Sequence, residues 1–149
     1  MRALLQRVQQ ASVHINGECV GAIDQGLLVF LGVQKGDDKS RTEKLLQKIV
    51  NYRIFSDDQQ KMNLSVKDIG GGLLIISQFT LAAETQKGLR PGFSLAASPE
   101  QAEALYDYFL QQARDLALEK ENTIASGVFG ADMQVSLIND GPVTFLLEV

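Results

Sequence analysis

Apolar residues alternate, with interruptions, from Arg2 to Ile15 (Leu5, Val8, Ala11, Val13, Ile15), which predicts a long strand with a bulge midway. Asn16-Gly17 is the dipeptide of a tight hairpin turn, so Cys19 to Ile23 is predicted to return as a second strand. Asp24-Gln25-Gly26 reads as a further turn, and Leu27 to Val33 is a continuous apolar run suited to a strand buried on both faces. These three segments are expected to open the fold as antiparallel strands.

The period changes between Asp37 and Tyr52, where Leu45, Leu46, Ile49 and Val50 share one helical face and Ser40 and Glu43 have the spacing of a capping box. Arg53-Ile54-Phe55 predicts a short strand, with Asn63 to Val66 pairing back after the polar turn Ser56-Asp57-Asp58-Gln59-Gln60. Gly70-Gly71-Gly72 leads into a predicted strand from Leu73 to Leu81, apolar at first and polar towards its end. A phosphate-binding loop follows its strand and carries Gly-Lys-Ser/Thr, so the reversed order here excludes a nucleotide fold of that kind.

Residues 82–97 are predicted to be a loop of the length that often carries function. Ser98, Pro99 and Gln101 then give an N-cap, a first-turn proline and a capping glutamine, and Ala102, Leu105, Phe109, Ala113 and Leu116 form the core stripe of a second helix. Met133 to Ile138 alternates as a strand, Asn139-Asp140-Gly141-Pro142 reads as a hairpin turn, and Val143 to Val149 is predicted to return as the last strand. Strand runs broken by only two helices predict an α+β domain with a curled, mostly antiparallel, barrel-like sheet and two main helices packed on it.

Composition narrows the setting. A chain of 149 residues, 45% hydrophobic and 21% charged, is the size and balance of one folded domain spanning 1–149. Its single cysteine, Cys19, has no partner for an internal disulfide, and no Cys/His spacing suits structural zinc. The start of the chain lacks a signal-length apolar run and no stretch approaches the roughly 20 apolar residues of a membrane span, so a cytoplasmic location with no membrane partner is expected. A net charge of −4 weighs against a broad nucleic-acid surface, although a local cationic rim suffices to hold a nucleic-acid terminus.

Ordinary catalytic motifs are missing. The one histidine, His14, lies among strand residues, and Cys19 sits across a turn that allows opposing pleats, so a Cys-His dyad is not favoured. Asp57 and Asp58 read as a solvated turn rather than a cation site. No nucleophile elbow, paired helical histidines or dinucleotide fingerprint occurs. Two polar cassettes remain, Ser77-Gln78-Phe79-Thr80-Leu81 and Asn139-Asp140-Gly141-Pro142-Val143-Thr144. On residues alone the first reads as a strand reaching solvent and the second as a hairpin turn.

Those cassettes do not stand alone. Gln6-Arg7-Val8, Gly26-Leu27-Leu28-Val29, Leu31-Gly32-Val33, Arg53-Ile54-Phe55, Lys61-Met62-Asn63-Leu64-Ser65, Arg90-Pro91 and Phe129-Gly130-Ala131-Asp132-Met133 accompany them in order. Together they make the chain resemble the D-aminoacyl-tRNA deacylase family over essentially its whole length. The resemblance implies a homodimeric hydrolase with active sites at the interface. It would cut the ester joining a D-amino acid, or glycine, to the 3′ end of tRNA as a chiral proofreading step, with tRNA rather than DNA as partner and with no cofactor or metal.

It further implies a site around Ser77 to Leu81, in which main-chain groups of Phe79 and Thr80 act as donors and the Gln78 and Thr80 side chains shape the pocket. Arg7 would hold the second cassette, whose Gly141-Pro142 bond is cis in the family and reaches across from the partner subunit. Phe129 and Met133 would line the pocket for the terminal adenosine, and Lys87 and Arg90 would form a cationic rim. An aminoacyl ester is already activated by the neighbouring ribose hydroxyl, so orientation and oxyanion stabilisation fit without a triad. Two departures stand out: Gly92 follows Arg90-Pro91 where the family commonly has serine, and Val128 stands where many members carry arginine. A non-catalytic tRNA-end or nucleotide-binding module, and a general small-ester hydrolase, are the rival readings.

Overall fold

The computed structural model describes residues 1–86, 88–118 and 122–149. Its first element, β1 (Arg2–Ile15), turns at Asn16-Gly17, where φ values of 51° and 85° put both residues in the left-handed region that a two-residue hairpin requires. β2 (Glu18–Ile23) and β3 (Gly26–Gly32) both run antiparallel to β1, in one continuous sense: Ala11 faces Ile23 and Val8 faces Gly26. Asp24-Gln25 therefore interrupts a long return strand and does not reverse the chain, contrary to the predicted turn.

Helix α1 (Lys39–Val50) buries Leu45, Leu46, Ile49 and Val50 as the periodicity requires. Its cap is Asp38, which accepts the Arg41 N–H at 2.8 Å, in place of the predicted Ser40–Glu43 box. β4 (Phe55–Ser56) pairs with β5 (Met62–Leu64) in a small hairpin. There the Asp57 carboxylate accepts the Lys61 N–H, the Asn63 amide and the Gln59 N–H, which together hold its pKa below the usual carboxylate range.

β6 (Gly72–Ser77) lies parallel to β3, and β7 (Ile124–Ser126), which the sequence pattern does not reveal, lies parallel to β6. The sheet is thus mixed, in the order β2-β1-β3-β6-β7, and β7 comes to rest against β2, so the sheet curls almost shut. Helix α2 (Pro99–Leu118) starts where Ser98 caps Gln101, as expected, and buries Ala102, Leu105, Phe109 and Ala113.

The final strand, β8 (Gln134–Glu148), corrects a second predicted turn. It is one strand that pairs with β1 along nearly its whole length, from His14 opposite Gln134 to Arg2 opposite Glu148. Both halves run the same way against β1, so Asn139-Asp140-Gly141-Pro142 forms a bulge and not a hairpin.

Alternation sorts the strand residues onto two faces. Ala3, Leu5, Leu27, Val29, Leu31, Leu73 and Ile75 pack against both helices, while Val8, Ala11, Val13, Leu28, Leu74 and Ile76 fill the inside of the curl. Ser77 and Gln78 leave the sheet at the end of this two-sided core, at the carboxyl edge of the parallel pair β3–β6.

Candidate active site

The strand predicted to run to Leu81 stops at Ser77, and Phe79–Ala82 forms a single 3₁₀ turn. The Gln78 N–H still bonds the Leu31 carbonyl at 2.8 Å, but the next bonds are those of the turn, from Leu81 N–H to the Gln78 carbonyl and from Ala83 N–H to the Thr80 carbonyl. The N–H groups of Phe79 and Thr80 precede the first bond of the turn, in the positions that a helical turn leaves without an internal acceptor. Arg2 pins the far side by donating from Nη1 to the Leu81 carbonyl at 3.0 Å. Gln78 Nε2 donates to Thr80 Oγ1, 2.6 Å away, so these two polar side chains are held as a pair.

Beside this turn lies a cavity of about 500 Å³, lined by Ser77, Gln78 and Phe79 together with Phe129, Met133 and Pro99, and floored by Phe30 and Ile76 from the sheet. The size suits a small-molecule or nucleoside-sized group. The walls are apolar, with polar side chains at Ser77 and Gln78, and no Asp, Glu, His, Lys, Arg or Cys is among the lining residues described. The polar groups that the described lining offers are main-chain dipoles and the side chains of Ser77 and Gln78.

Five residues singled out from the sequence thus surround one space: Ser77, Gln78, Phe79, Phe129 and Met133. Thr80 is exposed beside it and tied in through Gln78, whereas Leu81 packs back towards Gly32. Arg90 is exposed in the 82–97 loop, and Lys87 lies outside the described residues. That loop is organised by the Glu84–Gly92 bridge and a Ser94 to Glu84 hydrogen bond, which set the Phe93 ring 5.1 Å from that of Phe79.

Arg7, Gly141 and Pro142 form a separate group. Arg7 Nη1 donates to the Ile54 carbonyl, and its Nε donates to the Asp140 carbonyl and sits 3.4 Å from the Asp140 carboxylate. The Gly141-Pro142 bond is cis, and both residues are exposed at the tip of the β8 bulge. They are not among the residues described around the cavity of their own chain.

Several residues that shape the cavity were missed. Tyr106 of α2 donates to the Ile75 carbonyl at 2.9 Å, approaches the Gly127 carbonyl at 3.4 Å, and packs its ring 6.0 Å from that of Phe129. Burial, with the Asp107 charge second, pushes its phenol pKa up to about 12. Met133 lies over Gly127, where an added Cβ would fall 2.4 Å from the Met133 sulfur. A tyrosine on a helical stripe and a connector glycine gave no sign of this. His14 and Cys19 prove to be directly opposite in register on one face, not on opposing pleats, yet neither lines the cavity.

A family model described as D-Tyr-tRNA(Tyr) deacylase matches residues 4–148. A D-aminoacyl-tRNA deacylase of Stutzerimonas stutzeri is 63% identical over 148 residues, 99% of each chain. One from Pseudoalteromonas translucida is 62% identical over 149 residues, the whole of both chains. Among solved structures, the c-Myc DNA Unwinding Element Binding Protein superimposes with a TM-score of 0.93 at 44% identity, covering 100% of this chain and 99% of that one. A probable eukaryotic D-amino acid tRNA deacylase shares the fold at a TM-score of 0.84 and 18% identity, covering 99% of this chain and 98% of that one.

Proposed function

The chain belongs to the D-Tyr-tRNA(Tyr) deacylase family, and from that premise we propose that it hydrolyses the ester of D-aminoacyl-tRNA, and of mischarged glycyl-tRNA, as a chiral proofreading step of translation. Water adds to the ester carbonyl, the tetrahedral oxyanion collapses, and the ribose oxygen leaves with a proton to give free amino acid and tRNA. The observation that carries this reading is the turn at Phe79 and Thr80, whose main-chain N–H groups precede the first bond of the turn, beside a cavity with no ionisable side chain among its described lining residues. Such donors stabilise an oxyanion, and the neighbouring ribose hydroxyl supplies the activation that a triad would otherwise provide.

In this reading Gln78 and Thr80 shape the reacting end, Ser77 and Leu81 flank it, and Phe129 and Met133 receive the terminal adenosine. Arg90 and Lys87 form the cationic rim for the tRNA. Selection falls to the carbonyls of Gly141 and Pro142 of the partner subunit, which meet the substrate Cα. An L side chain collides with them, a D side chain points to solvent, and glycine passes because it has nothing to collide.

A homodimer is part of the proposal. Leu146, Leu4, Phe30 and Ile76 are register neighbours across β8, β1, β3 and β6, and Leu146 is 57% exposed on that row. A second copy would cover such a row and bring its β8 bulge to the cavity. The whole chain acts as a single deacylase domain in the cytoplasm.

A second reading, a nucleic-acid-end-binding module without turnover, draws on the name of the 44% identical structure. Incubation of the purified chain with D-tyrosyl-tRNA separates the readings. A deacylase releases D-tyrosine, and does so far faster than it cleaves D-tyrosine ethyl ester; a binding module retains the charged tRNA intact; a general hydrolase cleaves both esters alike.

A further inference from the structure

The bulge of β8 is closed by one side chain. From Asn139 to Thr144 β8 advances five residues while β1 advances two, from Val8 to Gln6, which leaves three residues surplus. Asn139 Oδ1 accepts the Val143 N–H at 2.7 Å. Its Nδ2 donates to the Val143 carbonyl at 3.3 Å and to Thr144 Oγ1 at 3.1 Å. One amide thus satisfies both main-chain groups of Val143, the pattern a neighbouring strand would otherwise supply.

Around that amide the bulge is fixed at both ends. Arg7 takes the Asp140 carbonyl on one side, Gln6 Nε2 donates to Thr144 Oγ1 on the other, and the Val143 side chain is buried in the core. Gly141 and Pro142, exposed, lie between these anchors with no ladder hydrogen bond to β1 opposite them. The contacts that close the bulge help to set their direction.

We infer that Asn139 is a positioning residue for stereochemical selection: its amide closes the bulge so that the Gly141 and Pro142 carbonyls keep a single aim. The inference rests on the reading of those carbonyls as the filter against L side chains. Asn139→Asp keeps an acceptor for the Val143 N–H but loses both donors, and sets a carboxylate oxygen against the Val143 carbonyl. Asn139→Ala loses all three bonds, and Thr144→Val loses one of the three together with the Gln6 bond to the same hydroxyl.

The test measures kcat and KM on matched D- and L-tyrosyl-tRNA for these variants, together with amide hydrogen exchange at Val143. The ratio of D to L rates is expected to fall by about tenfold in Asn139→Ala and Asn139→Asp, the scale of one to two lost hydrogen bonds. A smaller fall is expected in Thr144→Val, and Val143 exchanges faster in all three. A purely stabilising Asn139 would lower the amount of active protein and leave the ratio at its wild-type value, and that result overturns the inference. If Asn139→Ala does not fold, Thr144→Val carries the ratio. Wild-type protein that spares D-tyrosyl-tRNA overturns the functional reading and this inference with it. Normal wild-type selection with an unmoved variant ratio overturns only this inference.

Discussion

Arg7 Nε lies 2.8 Å from the Asp140 carbonyl oxygen, 133 residues away in the chain, while Nη1 of the same guanidinium lies 2.6 Å from the Ile54 carbonyl. One planar group joins β1, the segment before β4 and the β8 bulge, with the Arg7 side chain only 11% exposed. Lysine has a single point charge and cannot span both carbonyls in this fork geometry.

Arg7→Ala is therefore expected to cost about 2 kcal/mol or more of stability, the scale of charge-assisted hydrogen bonds whose acceptors are left unpaired. Arg7→Lys should recover part of that stability and less of the D over L preference. Chemical denaturation paired with deacylation rates checks both. Unchanged selectivity in a stable Arg7→Lys protein would detach the guanidinium from the filter.

Gly127→Ala is expected to spare the fold and damage the pocket. The added Cβ meets the Met133 sulfur at 2.4 Å and Ile76 Cδ1 at 3.1 Å, and methionine is flexible enough to move aside. If Met133 receives the terminal adenosine as proposed, its shift raises KM for the charged tRNA by about threefold to tenfold, roughly 1 kcal/mol of lost contact, with a smaller change in kcat. Shortening the obstacle in Gly127→Ala/Met133→Ala should not add a second loss of equal size. Additive effects would show that the two residues do not share the wall.

Tyr106→Phe removes the hydroxyl bonds to the Ile75 and Gly127 carbonyls and is expected to cost about 1–3 kcal/mol. Burial raises the phenol pKa in the folded state to about 12, above the ordinary value of 10.0. A raised folded pKa means that the stabilisation is fully present below the unfolded pKa and is lost as pH rises from about 10 through about 12. The stability gap between wild type and Tyr106→Phe should accordingly narrow over that window. A gap independent of pH from 9 to 12, on a scale of roughly one pH unit per step, would show that Tyr106 titrates as an ordinary phenol.

Much of the architecture was legible because period and packing agree. The stripes Leu45-Leu46-Ile49-Val50 and Ala102-Leu105-Phe109-Ala113 name both helices and the faces they bury. Turn chemistry was the weaker guide. Of four turn signals between strands, two reverse the chain: Asn16-Gly17, with both residues at positive φ, and the polar turn between the antiparallel β4 and β5. At Asp24-Gln25 and Asn139–Pro142 the same residue types make interruptions inside strands that β1 holds in line, because long antiparallel pairing outweighs local preference. β7 is three residues long and follows no clear alternation, so nothing in its sequence announced a strand.

The site was legible only in part, for a similar reason. Ser77 and Gln78 stand out as polar groups at the end of an apolar run, and the structure brings them together with Phe79, Phe129 and Met133. Tyr106, Gly127 and Asn139 act through what they touch: two carbonyls, a sulfur and the two main-chain groups of Val143. Tyr106 reaches carbonyls 31 and 21 residues away, while the nearer contacts of Gly127 with Met133 and of Asn139 with Val143 depend on a packed connector and a strand bulge that the local pattern does not encode.

The most direct measurement is the initial rate of amino-acid release from tRNA charged with D-tyrosine and from the same tRNA charged with L-tyrosine, at equal enzyme and substrate. Selection by main-chain carbonyls that a side chain cannot pass predicts rapid release of D-tyrosine, with the L ester decaying at the rate seen without protein. Equal rates for the two esters, or faster release of L-tyrosine, would contradict it.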